Sequence, residues 1–146
     1  MKTKPDSGKG FSLLELLIVV AVILVIATIA IPSLIRSRQS ANESSAIANL
    51  RTISNAEAAY LSASGGYYGN LADLVNAQVL DDRFTGTSVG GYEYALTASP
   101  FAFTVTATPR SMNMGRYGFY MATDGVVRYS TAFTLAPVGQ AGGAIR

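Results

Sequence analysis

The sequence predicts an α+β fold: one long N-terminal helix, apolar in its first half and amphipathic in its second, packed on a small antiparallel sheet of three or four strands. Three observations carry this prediction. Leu16 to Ile35 is a run of 20 residues without a charge. Beyond it, apolar residues recur at spacings of three and four, the period of one helix face. From Tyr92 onward the pattern changes to alternation, the period of a strand.

The helix is expected from about residue 11 to about residue 63. Its uncharged stretch has the length a helix needs to cross a bilayer core of ~30 Å. Pro32 lies inside it; a proline has no N–H, so the carbonyl of Thr28 loses its helical partner and a kink is expected there. In the second half Ile47, Leu50, Ile53, Ala56 (or Glu57), Tyr60 and Leu61 form the apolar stripe. Asn42, Glu43, Ser45, Asn49, Arg51 and Asn55 are assigned to the opposite side. Ser64-Gly65-Gly66 ends the helix, because glycine adopts the left-handed stop without strain.

Tyr67 to Asn70 reads as a turn, with Asn70 capping a short helix over Leu71 to Val75 or a little beyond. Asp81 to Gly91 is a polar, glycine-bearing loop. Tyr92 to Leu96 alternates; Phe101, Phe103, Val105 and Ala107 are expected on one face, with Ala102, Thr104 and Thr106 on the other. Phe119–Thr123 and Val126–Tyr129 are read as a hairpin joined by Asp124-Gly125. Thr131 to Arg146, rich in Ala, Gly and Pro, is expected to pack as an extended tail or to fray.

Composition narrows the function classes. The chain has 146 residues, enough for one domain and a membrane segment. Its mean hydropathy of +0.30 is high, and the apolar excess sits near the N-terminus. There is no Cys, no His and no Trp, which removes thiolate chemistry, the commonest general base and the commonest metal ligand. The few carboxylates are scattered, so no catalytic residue is expected. Asp81, Asp82 and Asp124 offer oxygen donors, but not at the spacing of a Ca²⁺ loop, so neither metal nor cofactor is expected. The aromatic residues fall at alternating strand positions and on the helix stripe, where they serve the core. The pI of 9.0 is an effect of the first ten residues. Of 11 basic and 9 acidic side chains, Lys2, Lys4, Lys9 and Asp6 lie there, leaving eight of each beyond. A nucleic-acid partner is therefore not favoured.

The junction between basic tail and apolar run is the most informative segment. A secretory signal has a shorter apolar region with a small-residue site after it; here the small residue, Gly10, comes before. Glu15 is a carboxylate at the start of an otherwise uncharged helix, which costs on the order of 2–3 kcal/mol even on lenient insertion scales and marks a functional position. Lys9-Gly10-Phe11-Ser12-Leu13-Leu14-Glu15-Leu16 resembles the N-terminal signature of type IV prepilins and of the pseudopilins of type II secretion. Matching residues are the basic residue before the site, Gly10, Phe11, Glu15 as the fifth residue counted from Phe11, and Pro32 as the helix-interrupting proline. Leu24 departs from the pattern, where the family usually has glycine.

The resemblance implies three parts: a leader at residues 1–10 removed by a prepilin peptidase, a transmembrane and filament-core helix at 11–35, and a periplasmic or extracellular head at 36–146. It implies cleavage between Gly10 and Phe11, N-methylation of Phe11 by a prepilin peptidase/N-methyltransferase, and pairing of Glu15 with the Phe11 ammonium of a neighbouring subunit. The expected partners are further copies of the chain in a helical filament, minor pilins, and an inner-membrane assembly platform with its ATPase. The expected location is the bacterial inner membrane, single-pass with a cytoplasmic N-terminus, before assembly into a periplasmic or cell-surface filament. Pilus and secretion pseudopilus remain open alternatives. A different class of reading, a non-polymerising single-pass membrane protein with a periplasmic binding head, predicts that Glu15 has no role in assembly.

Overall fold

A computed structural model describes residues 10–130 and 143–145. The chain divides into two compact units, Met1–Ile35 and Arg36–Arg146. A single helix, α1 (Leu13–Ala63), contributes to both and continues through Pro32. In the first unit its side chains are exposed almost throughout, and the helix is long and apolar enough to cross a membrane. A helix that is apolar all round has no soluble face to offer.

In the second unit, α1 buries Leu50, Ile53, Ala56 and Glu57 of the predicted stripe, together with Ala46, and leaves Ile47, Tyr60 and Leu61 half-buried. Enclosing Leu50 or Ile53 stabilises the fold by roughly 1.5–3 kcal/mol each. Two assignments to the solvent side were wrong. Glu43 is 7% exposed and Asn49 8% exposed, because both have polar partners on the sheet side. The Asn49 amide donates to the Tyr94 hydroxyl at 3.0 Å, and Glu43 takes an arginine, as described below. A buried polar group is tolerated where its hydrogen bonds are made. At the helix end, Gly65 (φ 77°) and Gly66 (φ 98°) take the left-handed conformation, and the Gly66 N–H reaches the Leu61 carbonyl at 3.0 Å.

The short helix α2 spans Leu71–Asn76. Asn70 is its N-cap, in a reciprocal capping box with Asp73. The following loop is more ordered than its polar sequence suggested. Asp81 caps a 3₁₀ turn over Asp82–Thr85, and Phe84 on that turn is buried.

The sheet has strands β1 (Tyr92–Ser99), β2 (Ala102–Pro109), β3 (Gly118–Ala122), β4 (Arg128–Ser130) and β5 (Gly143–Ala144), ordered as in the sequence with every neighbouring pair antiparallel. The fifth strand adds one to the expected maximum of four. Phe103, Val105 and Ala107 are buried on one face, opposite Ala98, Leu96 and Tyr94 of β1 and continuing to Met121 and Phe119 of β3. Phe101 does not join them. Ser99 pairs with Ala102, so Pro100 and Phe101 form the two-residue turn, and Phe101 is 86% exposed. The Asp124-Gly125 turn is present, with Gly125 at φ 70°. Strand β4 starts two residues later than expected, because the Val126 N–H is held by Asp124 Oδ1 at 3.1 Å instead of entering the ladder. Of the expected C-terminal tail, residues 131–142 and 146 lie outside the described residues; Gly143–Ala144 form β5, and the Ile145 N–H donates to the Val127 carbonyl at 2.8 Å.

Candidate functional site

The junction signature folds into the first turn of α1. Ser12 acts as the N-cap. Its hydroxyl accepts from the Leu14 N–H at 3.3 Å, and its carbonyl accepts from the Leu16 N–H at 3.2 Å. Glu15 reaches back, its Oε2 accepting from the Ser12 N–H at 2.9 Å. This is a variant of the capping box, with the Ser12 hydroxyl on the second helical amide instead of the third: an acid three residues into the helix satisfies a backbone donor that the ladder leaves free. Glu15 therefore has an intrachain partner that the sequence reading missed, although Ser-x-x-Glu ahead of an apolar run is the signal for it. A negative charge in the first turn also suits the helix dipole.

Phe11 is 84% exposed. Gly10 is exposed too, and a Cβ built on it would meet nothing within 4 Å. Nothing in the packing of this chain requires glycine at position 10. Pro32 and Leu24 lie on the exposed part of α1.

A second polar cluster ties α1 to the loop between β2 and β3. The Gln39 amide donates to the Met112 carbonyl, and the Asn42 amide donates to the Met114 carbonyl at 2.9 Å. Glu43 receives three bonds from Arg116: from the backbone N–H at 2.8 Å, from Nε at 3.3 Å and from Nη2 at 3.1 Å. These bonds hold the Arg116 guanidinium more firmly protonated than usual. Beside it, the buried Tyr92 hydroxyl donates to the Tyr117 carbonyl at 2.9 Å. Burial first, and the Glu43 charge second, push that phenol well above its ordinary range. The cluster anchors a loop and presents no nucleophile or base to solvent.

Two of the three aspartates weighed as oxygen donors, Asp81 and Asp124, have partners within the head. Asp81 caps the 3₁₀ turn. Asp124 pairs with Arg128 at 2.7 Å across the hairpin, a contact that holds its carboxyl below the usual carboxylate range.

Residues 7–31 match the family model described as the prokaryotic N-terminal methylation motif. Over 109 residues the chain is 31% identical to the type IV wide pilus major component PilA4 of Thermus thermophilus, covering 70% of this chain and 83% of that protein. The chain belongs to the type IV pilin and pseudopilin family. It is also 27% identical to type II secretion system core protein G of Escherichia coli over 118 residues, 79% of each chain. The matches to both relatives are longer than the methylation motif, so they take in part of this pilin's head as well as, or instead of, its N-terminal helix. Family membership makes the chain a structural subunit of a pilus or pseudopilus and not an enzyme. The methylation motif in turn implies a prepilin peptidase as a partner.

Proposed function

We propose that this pilin is cut between Gly10 and Phe11, methylated on the new Phe11 amine, and assembled into a filament in which Glu15 of one subunit meets the Phe11 ammonium of another. The observation that carries the proposal is the place of Glu15. It is a carboxylate in the first turn of a helix that is otherwise uncharged to Ile35, and it already reaches back to the Ser12 N–H, one residue from the amine that cleavage would create. In a bundle of such helices a carboxylate without a cation is costly. The pair therefore sets the axial register between subunits more than it adds net stability.

The glycine at position 10 fits the same reading. Since the chain's own packing does not need it, the requirement lies with an enzyme that must approach the backbone closely. Lysines ahead of the uncharged run favour a cytoplasmic N-terminus in the inner membrane before assembly. An assembly platform with its ATPase and minor pilins complete the machinery. Pro32 is the expected kink point, since the Thr28 carbonyl has no amide partner four residues on.

Mass spectrometry of the mature chain tests the processing step. The N-terminus is expected at Phe11 carrying one additional methyl group; a chain that still begins at Met1, or that is cut after Ala30, contradicts it.

A further inference from the structure

One buried acid in the head lies outside both the N-terminal signature and the Arg116 cluster. Glu57, on the last third of α1, is 0% exposed. Its Oε2 accepts from the Gly69 N–H at 3.1 Å. Its Oε1 has no hydrogen-bond partner, the one such buried side-chain atom among the described residues. Gly69 sits in the turn between α1 and α2 and is itself enclosed: a Cβ there would lie 2.8 Å from the Tyr60 ring and 3.0 Å from Asp73 Cβ. The carboxyl and the Tyr60 ring thus hold the turn from α1, while Asp73 closes on it from α2.

We propose that Glu57 is a proton-operated latch on the turn joining α1 to α2, closed while its carboxyl is neutral and released when it ionises. The surroundings decide the sign. An enclosed carboxylate needs a cation or several donors, and Glu57 has a single backbone donor and no basic partner among the described residues. The charged group facing it is Asp73, whose own carboxylate accepts from the Asn70 N–H and repels a second negative charge. The other titratable side chains of the turn and of the α1 segment beneath it are the phenols of Tyr60, Tyr67 and Tyr68. The Tyr68 ring packs on Phe103 of β2 at 5.1 Å, and none of the three phenols supplies a positive charge. A neutral carboxyl keeps an acceptor for Gly69 and avoids burying a charge. Burial, the largest cause, accordingly raises the Glu57 carboxyl above its exposed value of 4.5; the Gly69 hydrogen bond opposes the rise without cancelling it, and Asp73 adds to it.

Linkage gives the direction. Between the exposed value and the raised folded value, the closed latch binds more protons than the open one, so closure weakens as pH rises through that window and is complete below it. Within the window the opening equilibrium grows with pH, by at most about tenfold per unit for a single proton. Hydrogen exchange of the Gly69 amide, on the full chain in detergent micelles, reads this directly. Its protection factor is expected to fall above pH 4.5, by at most about tenfold per unit, and to level off once the folded value is passed. Glu57→Gln has the same shape and cannot ionise, so its Gly69 protection is expected to be flat with pH. A flat profile in the unsubstituted chain overturns the proposal. So does an equal fall in both chains, which would assign the effect to another group. Loss of protection in Glu57→Gln below pH 4.5, where a carboxyl raised above its exposed value is neutral, overturns it as well, by showing that the turn needs the negative charge.

Discussion

Of the described glycines in the head, Gly115 is the most crowded, and replacing it with alanine tests the packing around Tyr92. A Cβ at position 115 would stand 2.0 Å from the Tyr92 hydroxyl, 2.6 Å from Cζ and 2.9 Å from Cε2. The ring cannot swing away cheaply: Tyr92 is 0% exposed, its hydroxyl is fixed on the Tyr117 carbonyl, and its face packs on Phe119 at 5.8 Å. Overpacking of this kind costs roughly 1–3 kcal/mol, and loss of the phenol's hydrogen bond adds about 1 kcal/mol. The expected total is about 2–4 kcal/mol, a fall in Tm of roughly 8–16 °C at about 4 °C per kcal/mol. Thermal unfolding of the full chain in micelles, followed by circular dichroism, measures it. Tyr92→Phe removes the atom in the closest contact, so Gly115→Ala is expected to cost less in that background than in the natural one. If Gly115→Ala unfolds within about 0.5 kcal/mol of the parent, or costs the same in both backgrounds, the described packing is incorrect.

Asn70→Ala breaks the reciprocal capping box of α2 and is expected to cost about 1 kcal/mol in the same unfolding assay, with Asn70→Asp close to neutral; equal losses in the two variants contradict the capping role. The Asp124–Arg128 contact gives a pH dependence of opposite sign to that of Glu57. The folded carboxyl lies below its ordinary 3.8, so its contribution is complete above that value and is lost as pH falls through the folded one. Asp124→Asn should therefore lower Tm at neutral pH and converge with the parent in acid, whereas a difference that persists in acid rules out the ion pair.

The fold was legible where local pattern and burial agree. The uncharged run, the stripe through Leu50 and Ile53, the glycine stop at Gly65-Gly66, the Asn70 cap and the Asp124-Gly125 turn all announce themselves by type and spacing. What the sequence hid depends on partners remote in the chain. Glu43 and Asn49 read as solvent-side residues on a helical wheel, and only the fold brings Arg116 and Tyr94 to them. Phe101 fits the alternation of β2, but the register with β1 puts it in the turn. Strand β5, Gly143–Ala144, has neither β propensity nor alternation and exists because Arg128 and Tyr129 offer it an edge. At the N-terminus the situation is reversed. Gly10, Phe11 and Glu15 were identified from the motif, and the structure contributed the capping box. That box gives Glu15 a structural duty inside a single chain as well as its proposed one between chains.

Those two duties can be separated at one position. Glutamine at position 15 keeps an oxygen that can accept from the Ser12 N–H but carries no charge, whereas alanine loses both. Sheared filaments recovered from cells expressing Glu15→Gln or Glu15→Ala, measured against the amount of each chain in the membrane fraction, test the intersubunit pair. The account predicts that both chains insert normally and that both are depleted from filaments. Filaments forming at the parental level from the Glu15→Gln chain would contradict it.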